Sequence, residues 1–357
     1  MKKIKVKYCK YNETDEKTPN SYNYLIHNIL KKYYEVEISE KPDYIFFHET
    51  SYDYLNYRGI RINYTGENIS ANFNLSDYAI GFDYLNFNDR YYRLPIYLVA
   101  TFYREKELAL AKNIDLAKNK LFTKDDLAQK TDFCSFVYSN YLSDHHRETF
   151  FNQISQYKRV NSGGKYLNNT GETVDNKLEF ESKHKFSIAF ENSSRSGYTT
   201  EKIVCALMAN TIPIYWGNPE IGKEFNTKRF INCHDYGSFD EILEKVKELD
   251  QNDGLYLQMI NETVFANNYN PKKVMEDFEN FLKNIFDQNL EKAYRRTINP
   301  IRAIELERNE KIVCKYNKKR ALIRKMMTNI YKPFKKIKYL EKAKQNLLKI
   351  RNDKYNF

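Results

Sequence analysis

The chain has 357 residues, 41% of them apolar, which suits a folded globular protein of about two domains. Its net charge of +11 points to a nucleic-acid partner only until it is located: residues 311–357 hold sixteen Lys or Arg against two acids, +14, which leaves −3 for residues 1–310. A mildly acidic body excludes a basic nucleic-acid groove there, and no nucleic-acid partner is expected.

The five cysteines, Cys9, Cys134, Cys205, Cys233 and Cys314, are odd in number and form no C-x-x-C pair. They read as reduced thiols of a cytoplasmic protein rather than as a disulfide frame or zinc site. Met1-Lys2-Lys3 starts like a signal peptide, but Ile4-Lys5-Val6-Lys7 alternates charge with apolar residues, so no apolar core follows. No apolar run approaches the length of a membrane span.

In chain order, Ile4 to Tyr8 alternate as a strand, and an amphipathic helix follows from about Ser21 to Lys32 with Leu25, Ile29 and Leu30 on one side. Residues 35–38, 43–47 and 61–64 read as strands, the last ending at Tyr64-Thr65-Gly66-Glu67-Asn68. Residues 72–98 are rich in aromatics and Asn, with an apolar segment at 77–82 and a break at Arg93-Leu94-Pro95. Residues 105–119 have a helical composition. Phe133 to Tyr138 is a strand ending at Ser139-Asn140, and His145 to Gln156 a helix with Phe150, Phe151 and Ile154 facing inward. Near this helix the chain is expected to pass into a second domain. A strand at 157–160 leads to Asn161-Ser162-Gly163-Gly164-Lys165, where the glycines permit a close backbone approach and Lys165 is a candidate phosphate contact.

Residues 186–219, FSIAFENSSRSGYTTEKIVCALMANTIPIYWGNP, pack strand, loop, helix and strand into one βαβ unit. Gly197 permits a positive φ, Thr199 or Thr200 caps the helix, Asn210 stops it, and Pro213 is tolerable near the start of the second strand. Ligands of open parallel sheets bind beyond the carboxyl ends of the strands, where a helix N-terminus favours anions. Asn192, Tyr198, Glu201 and Lys202 sit there. An amide, a ring, an acid and a cation together suit a sugar nucleotide, with Glu201 for ribose hydroxyls and Lys202 for the diphosphate. Beyond this unit, residues 229–232 read as a strand. Ser238 caps a helix to Leu249, with Glu241 completing a capping box. A further helix runs from Pro271 to Phe286, and beyond about Ile298 the pattern loosens.

These residues resemble the alpha-1,3/4-fucosyltransferase family, most closely its bacterial members. The resemblance rests on Phe190-Glu191-Asn192-Ser193, Gly197-Tyr198-x-Thr200-Glu201-Lys202-Ile203, Ile212-Pro213-Ile214-Tyr215-Trp216-Gly217 and Phe230-Ile231-Asn232-x-x-Asp235-Tyr236. It extends to Ser139-Asn140 with Arg147, to Gly163-Gly164, and to Tyr64-Thr65-Gly66-Glu67-Asn68 with Asn72-Phe73. It implies two facing Rossmann-like α/β domains of the GT-B type: an acceptor domain over residues 1–150, a donor domain over 151–300, and a basic tail over 301–357. The implied reaction is inverting transfer of L-fucose from GDP-fucose to an N-acetyllactosamine-type glycan, at O3 of GlcNAc, giving Lewis-type structures. Glu67 is carried over as general base. Lys202 and Lys165 are carried over for the leaving diphosphate, Glu201 for the ribose, Tyr198 and Asn192 as donor contacts, and Asn140 for guanine or ribose. Some relatives carry Arg in the Gly-Gly segment, where this chain has Lys165 and Leu167; a lysine supplies a point charge without the bidentate fork.

The family implies no bound metal or other cofactor, and no Asp-x-Asp triad is present. Trp216 reads as core, and His145, His146 and His184 as isolated surface residues. Residues 321–350 mix apolar residues with many lysines, a basic amphipathic tail that would bring residues 311–357 to an anionic membrane surface. Pro333 argues against one continuous helix. Three other readings are a transferase for another GDP- or UDP-sugar, a sugar-nucleotide or glycan-binding protein without turnover, and salt-dependent nucleic-acid binding by the tail.

Overall fold

The computed structural model describes residues 1–9, 21–103, 121–141, 143–297 and 299–331. The helix expected over 105–119 lies outside them, as does the part of the tail beyond Tyr331. Two parallel sheets form the frame. The first has β1 (Lys2–Cys9), β2 (Tyr34–Ile38), β3 (Tyr44–His48), β4 (Ile60–Tyr64), β5 (Tyr78–Gly81) and β6 (Tyr91–Arg93) in the order β2-β1-β3-β4-β5-β6. The second has β7 (Asp132–Phe136), β8 (Val160–Ser162), β9 (His184–Phe190), β10 (Ile212–Trp216) and β11 (Ile231–Asn232) in the order β11-β10-β9-β7-β8. The central strands β4 and β10 are buried throughout, as parallel strands covered on both faces must be. Pro213 pairs with Ser187, one residue before the β11 pairing starts at Ile214, so its missing N–H costs no bond on that side.

The helices are α1 (Ser21–Tyr33), α2 (Ile96–Tyr103), α3 (Lys124–Ala128), α4 (His146–Tyr157), α5 (Lys177–Ser182), α6 (Glu201–Met208), α7 (Phe239–Gln251), α8 (Asp253–Ile260), α9 (Pro271–Asp287), α10 (Leu290–Ala293) and α11 (Pro300–Tyr331). Local chemistry fixes their ends. Ser238 accepts from the Glu241 N–H as expected, but Glu241 turns its carboxylate to the Gly237 N–H, so the capping box closes one residue early. Tyr157 finishes α4 instead of opening a strand, and the strand expected at 157–160 starts at Val160.

The division between domains differs from the expected one at both ends. β7 pairs with β8 and β9, so the second sheet begins ahead of residue 150. Residues 271–293, expected in the second domain, return to the first. Phe286 lies 4.2 Å from the Tyr44 ring and 5.7 Å from Tyr34, and Tyr92 is 5.5 Å from both Phe278 and Phe281. Burying Phe278, Leu282, Ile285 and Phe286 stabilises this packing by about 1.5–3 kcal/mol each. Where the sequence pattern loosens, the chain forms the 32-residue α11. Asn299 caps it by accepting from the Arg302 N–H, and Glu307 pairs with Arg61 at 2.7 Å.

The Gly163-Gly164 turn approaches the chain itself. A Cβ on Gly164 would lie 2.0 Å from the Tyr138 carbonyl oxygen, and the Tyr166 N–H donates to that oxygen at 2.9 Å. Gly164→Ala is therefore expected to destabilise the protein by about 1–3 kcal/mol, read as a lower urea midpoint at unchanged slope.

Candidate active site

The site forms where β9 ends and α6 begins. Glu191, the first residue past β9, is fully buried, and its carboxylate accepts from the Thr200 N–H (2.8 Å), the Thr200 hydroxyl (2.7 Å) and Lys202 Nζ (3.0 Å). Thr200 holds the N-cap position, yet its side chain makes no cap bond. The protein's own carboxylate meets the start of the helix where the sequence suggested a ligand phosphate. Gly217 makes the room: a Cβ there would lie 2.4 Å from Glu191 Cγ.

Lys202 Nζ also reaches Thr200 Oγ1 (2.8 Å) and lies 3.7 Å from Glu201. Burial works to lower its pKa, but Glu191, followed by Glu201, outweighs it and holds Lys202 above the ordinary lysine range. A raised lysine pKa contributes stability that is complete below the unfolded value and is lost only as pH climbs through the folded one. Across neutral pH the cation persists.

Asn192 is held from beneath: its Oδ1 accepts from Arg147 Nη2 at 2.9 Å. Arg147 is 1% exposed, also donates to the carbonyls of Phe190 and Asn140, and stacks 4.0 Å over the Tyr138 ring. Asn140 thus joins this network through its backbone, and its residue is exposed. Lys165 is also exposed, beside the edge strand β8 and two strands removed from β9. Sequence reasoning missed a third lysine. Lys177, at the start of α5, lies 3.5 Å from Glu181; burial opposes its charge, but Glu181 and, more weakly, Glu201 hold it protonated. No local signal separates it from the many surface lysines.

The opposite wall comes from the first sheet. Tyr198 is buried against Phe82 (5.2 Å, edge to face) and Ile96. Burial, with Glu191 and then Glu67 adding, pushes its hydroxyl well up, and Lys202 opposes. Glu67, on the loop after β4, is exposed, and among the described residues its carboxylate takes no hydrogen bond. Lys202, Glu67 and Glu201 thus all act on the Tyr198 hydroxyl, Asn192 begins the same loop and Asn140 is tied to it through Arg147, whereas Lys165 stands apart beside β8. The domains meet closely here. Gly197 has φ +80°, and a Cβ on it would lie 2.4 Å from the Phe82 carbonyl oxygen. Arg93 pairs with the buried Glu224. A cavity of about 510 Å³ opens beside this contact, lined by Phe73, Asp83, Tyr84, Arg195, Glu220 and Lys223 and by none of the site residues expected from the sequence.

The histidines are less isolated than their sequence suggests. His146 is held by Asp144 and stacks 4.7 Å from Trp216, which is 9% exposed and belongs to the core. His184 is buried, with Phe180 O accepting from its Nδ1 at 2.8 Å. Asp144, His145 and His146 form the one grouping among the described residues whose donor atoms could converge on a metal.

Two parallel α/β sheets whose strand ends face a shared cleft define a B-type glycosyltransferase fold. The chain belongs to the fucosyltransferases of glycosyltransferase family 10. Residues 6–100 match the alpha-(1,3)-fucosyltransferase FucT N-terminal domain, and residues 127–288 match the family 10 C-terminal domain. Alpha-(1,3)-fucosyltransferase FucT of Helicobacter pylori is 35% identical over 307 residues, 76% of this chain and 64% of that protein. This chain thus spans somewhat under two thirds of that relative. The human 4-galactosyl-N-acetylglucosaminide 3-alpha-L-fucosyltransferase 9 is 31% identical over 140 residues, 38% of each chain. An alpha1,3-fucosyltransferase crystallised with GDP-fucose superposes with a TM-score of 0.63 at 32% identity, covering 81% of this chain and 92% of that one.

Burial separates the roles of the two acids beside Lys202. Glu191→Gln strands a buried ammonium and is expected to cost about 3–5 kcal/mol. Glu201→Gln removes a one-third-exposed partner and is expected to cost under about 1 kcal/mol. Urea denaturation of the two variants measures the difference.

Proposed function

We propose that this protein transfers L-fucose from GDP-fucose to a hydroxyl of an N-acetyllactosamine-type glycan, O3 of GlcNAc, with inversion. The observation that carries this reading is the meeting of the two strand-end loops across the domains, where Asn68, next to Glu67, donates to the Ser193 hydroxyl at 2.6 Å, next to Asn192. The names of the H. pylori and human relatives, and the GDP-fucose bound to the crystallised one, support the donor and the acceptor class.

Glu67, exposed and with no hydrogen bond to its carboxylate among the described residues, takes the acceptor hydroxyl's proton while the oxygen attacks the anomeric carbon. The bond from that carbon to the phosphate oxygen breaks, and its electron pair leaves with GDP. Lys202 supplies positive charge to the departing diphosphate at every neutral pH, and Lys165, exposed and unpaired among the described residues, supplies a second cation. Glu201 accepts from ribose hydroxyls, Asn192 and Tyr198 line the donor, and Asn140 lies where guanine or ribose would end. The first domain, closed by residues 271–293, serves the acceptor, and the second serves the donor.

Incubation with GDP-fucose and N-acetyllactosamine is expected to yield a product heavier by one fucose. Glu67→Gln is expected to lower turnover by about 10²–10⁴-fold while GDP still binds; unchanged turnover would remove Glu67 as base.

Residues 311–357 form, in this reading, a peripheral anchor at the inner face of a membrane in the cytoplasm. The described part exposes Ile312, Tyr316, Leu322, Ile323 and Met326 among its lysines, and no helix among the described residues is long and apolar enough to cross a bilayer. Flotation with anionic vesicles is expected to recover the full chain and lose a chain ending at Glu310. Equal recovery of the two would sink the anchor.

A further inference from the structure

The loop from β9 to α6 carries Asn192 at one end and Tyr198 at the other, and its middle residue, Arg195, points out of its own domain. Its Nη1 donates to the Asn68 side-chain oxygen at 3.2 Å and to the Asn68 carbonyl at 3.4 Å. Its Nη2 donates to Asp83 Oδ1 at 2.6 Å and to the Ser70 hydroxyl, and the guanidinium lies 5.0 Å over the Phe82 ring. Asn68 answers by donating from Nδ2 to Ser193 Oγ at 2.6 Å. Asn68 is the neighbour of Glu67.

We propose that Arg195 is a positioning residue for the transfer step, fixing the loop that bears Glu67 against the loop that holds the donor. The inference rests on Glu67 being the base. Four features support it. The Arg195 and Asp83 side chains are 33% and 19% exposed, so as an ion pair they contribute only about 0–1 kcal/mol, too little to account for the docking of two domains. That docking has its own means: the buried Phe82, Ile96 and Tyr198 cluster, the Arg93–Glu224 pair and the Tyr97–Tyr269 hydrogen bond. What Arg195 adds is geometry. A planar fork addresses three residues of the other domain at once, which an ammonium cannot reproduce. The Glu67 carbonyl accepts from the Thr65 hydroxyl at 3.0 Å and from the Ile69 N–H at 2.7 Å, but its carboxylate takes no hydrogen bond among the described residues, so the tie from its loop to the donor side runs through Asn68.

Three variants, Arg195→Ala, Arg195→Lys and Asn68→Ala, are assayed for kcat and for the KM of each substrate, alone and on a Glu67→Gln background, with folding checked by circular dichroism. Misplacing a reacting group by about 1 Å can cost about 10²-fold in rate. Arg195→Ala is expected to lose up to that factor in kcat with the KM for GDP-fucose unchanged, and Arg195→Lys to stay low. Asn68→Ala, which leaves the Arg195–Asp83 pair intact, is expected to show the same kcat-only pattern and serves if Arg195→Ala fails to fold. On the Glu67→Gln background neither is expected to lose more, because residues acting as one unit are not additive. Equal losses in both backgrounds would overturn the proposal. So would a loss confined to acceptor KM, full activity in Arg195→Lys, or wild-type kcat in Asn68→Ala. Wild-type turnover in Glu67→Gln alone would instead overturn the reading of Glu67, and that result appears without any Arg195 variant.

Discussion

One buried carboxylate organises the second domain's face of the cleft. Glu191 joins the end of β9 to the start of α6, binds Lys202 and Thr200, and lies against a glycine that leaves space for nothing larger. Such a pair is weak evidence for stability, because desolvating both charges offsets most of their attraction. What it secures is the place and the protonation of one ammonium. The same device recurs one layer down, where Arg147 has no role at the surface but hands Asn192 its orientation.

A single wall would bind a nucleotide and do nothing with it. Reactivity in the proposed scheme needs the loop after β4, which comes from the other sheet, and the contacts across the cleft are correspondingly close. The apolar core runs without a break from Tyr64 and Ile80 through Tyr97 to Ile203 and Phe225. With Gly197 pressed on the Phe82 carbonyl, there is little slack at the point where Tyr198 packs against Phe82.

The frame was legible in the sequence because parallel strands buried on both faces leave unbroken apolar runs, and the capping residues Ser238 and Asn210 stand where the pattern ends. The domain border was not, since nothing in Asp132–Phe136 says which sheet it will join; pairing partners are set by tertiary packing. α11 hid behind charges on every side, and α2 behind the Pro95 break. For the candidate site, Asn192, Tyr198, Glu201 and Lys202 were singled out by their place at a strand end. Glu67 was proposed from resemblance alone, because an exposed loop acid carries no signal of its own. Glu191 stood in the sequence only as one letter of the Phe190-Glu191-Asn192-Ser193 motif, and its partner Gly217 lies twenty-six residues away, too far for a local pattern. The Gly-Gly turn pointed to a ligand, whereas its close approach is to Tyr138.

The return of α9 and α10 to the first sheet sets the order in which the molecule can be finished during synthesis. Strands β1 to β6 leave the ribosome early, but the face formed by Tyr34, Tyr44 and Tyr92 stays uncovered until residues 278–286 arrive. At about 5–20 residues per second, the second sheet, begun later, has all its strands first. Through that interval the nascent chain carries a bare aromatic surface, and of the two domains the one made first is the last to close.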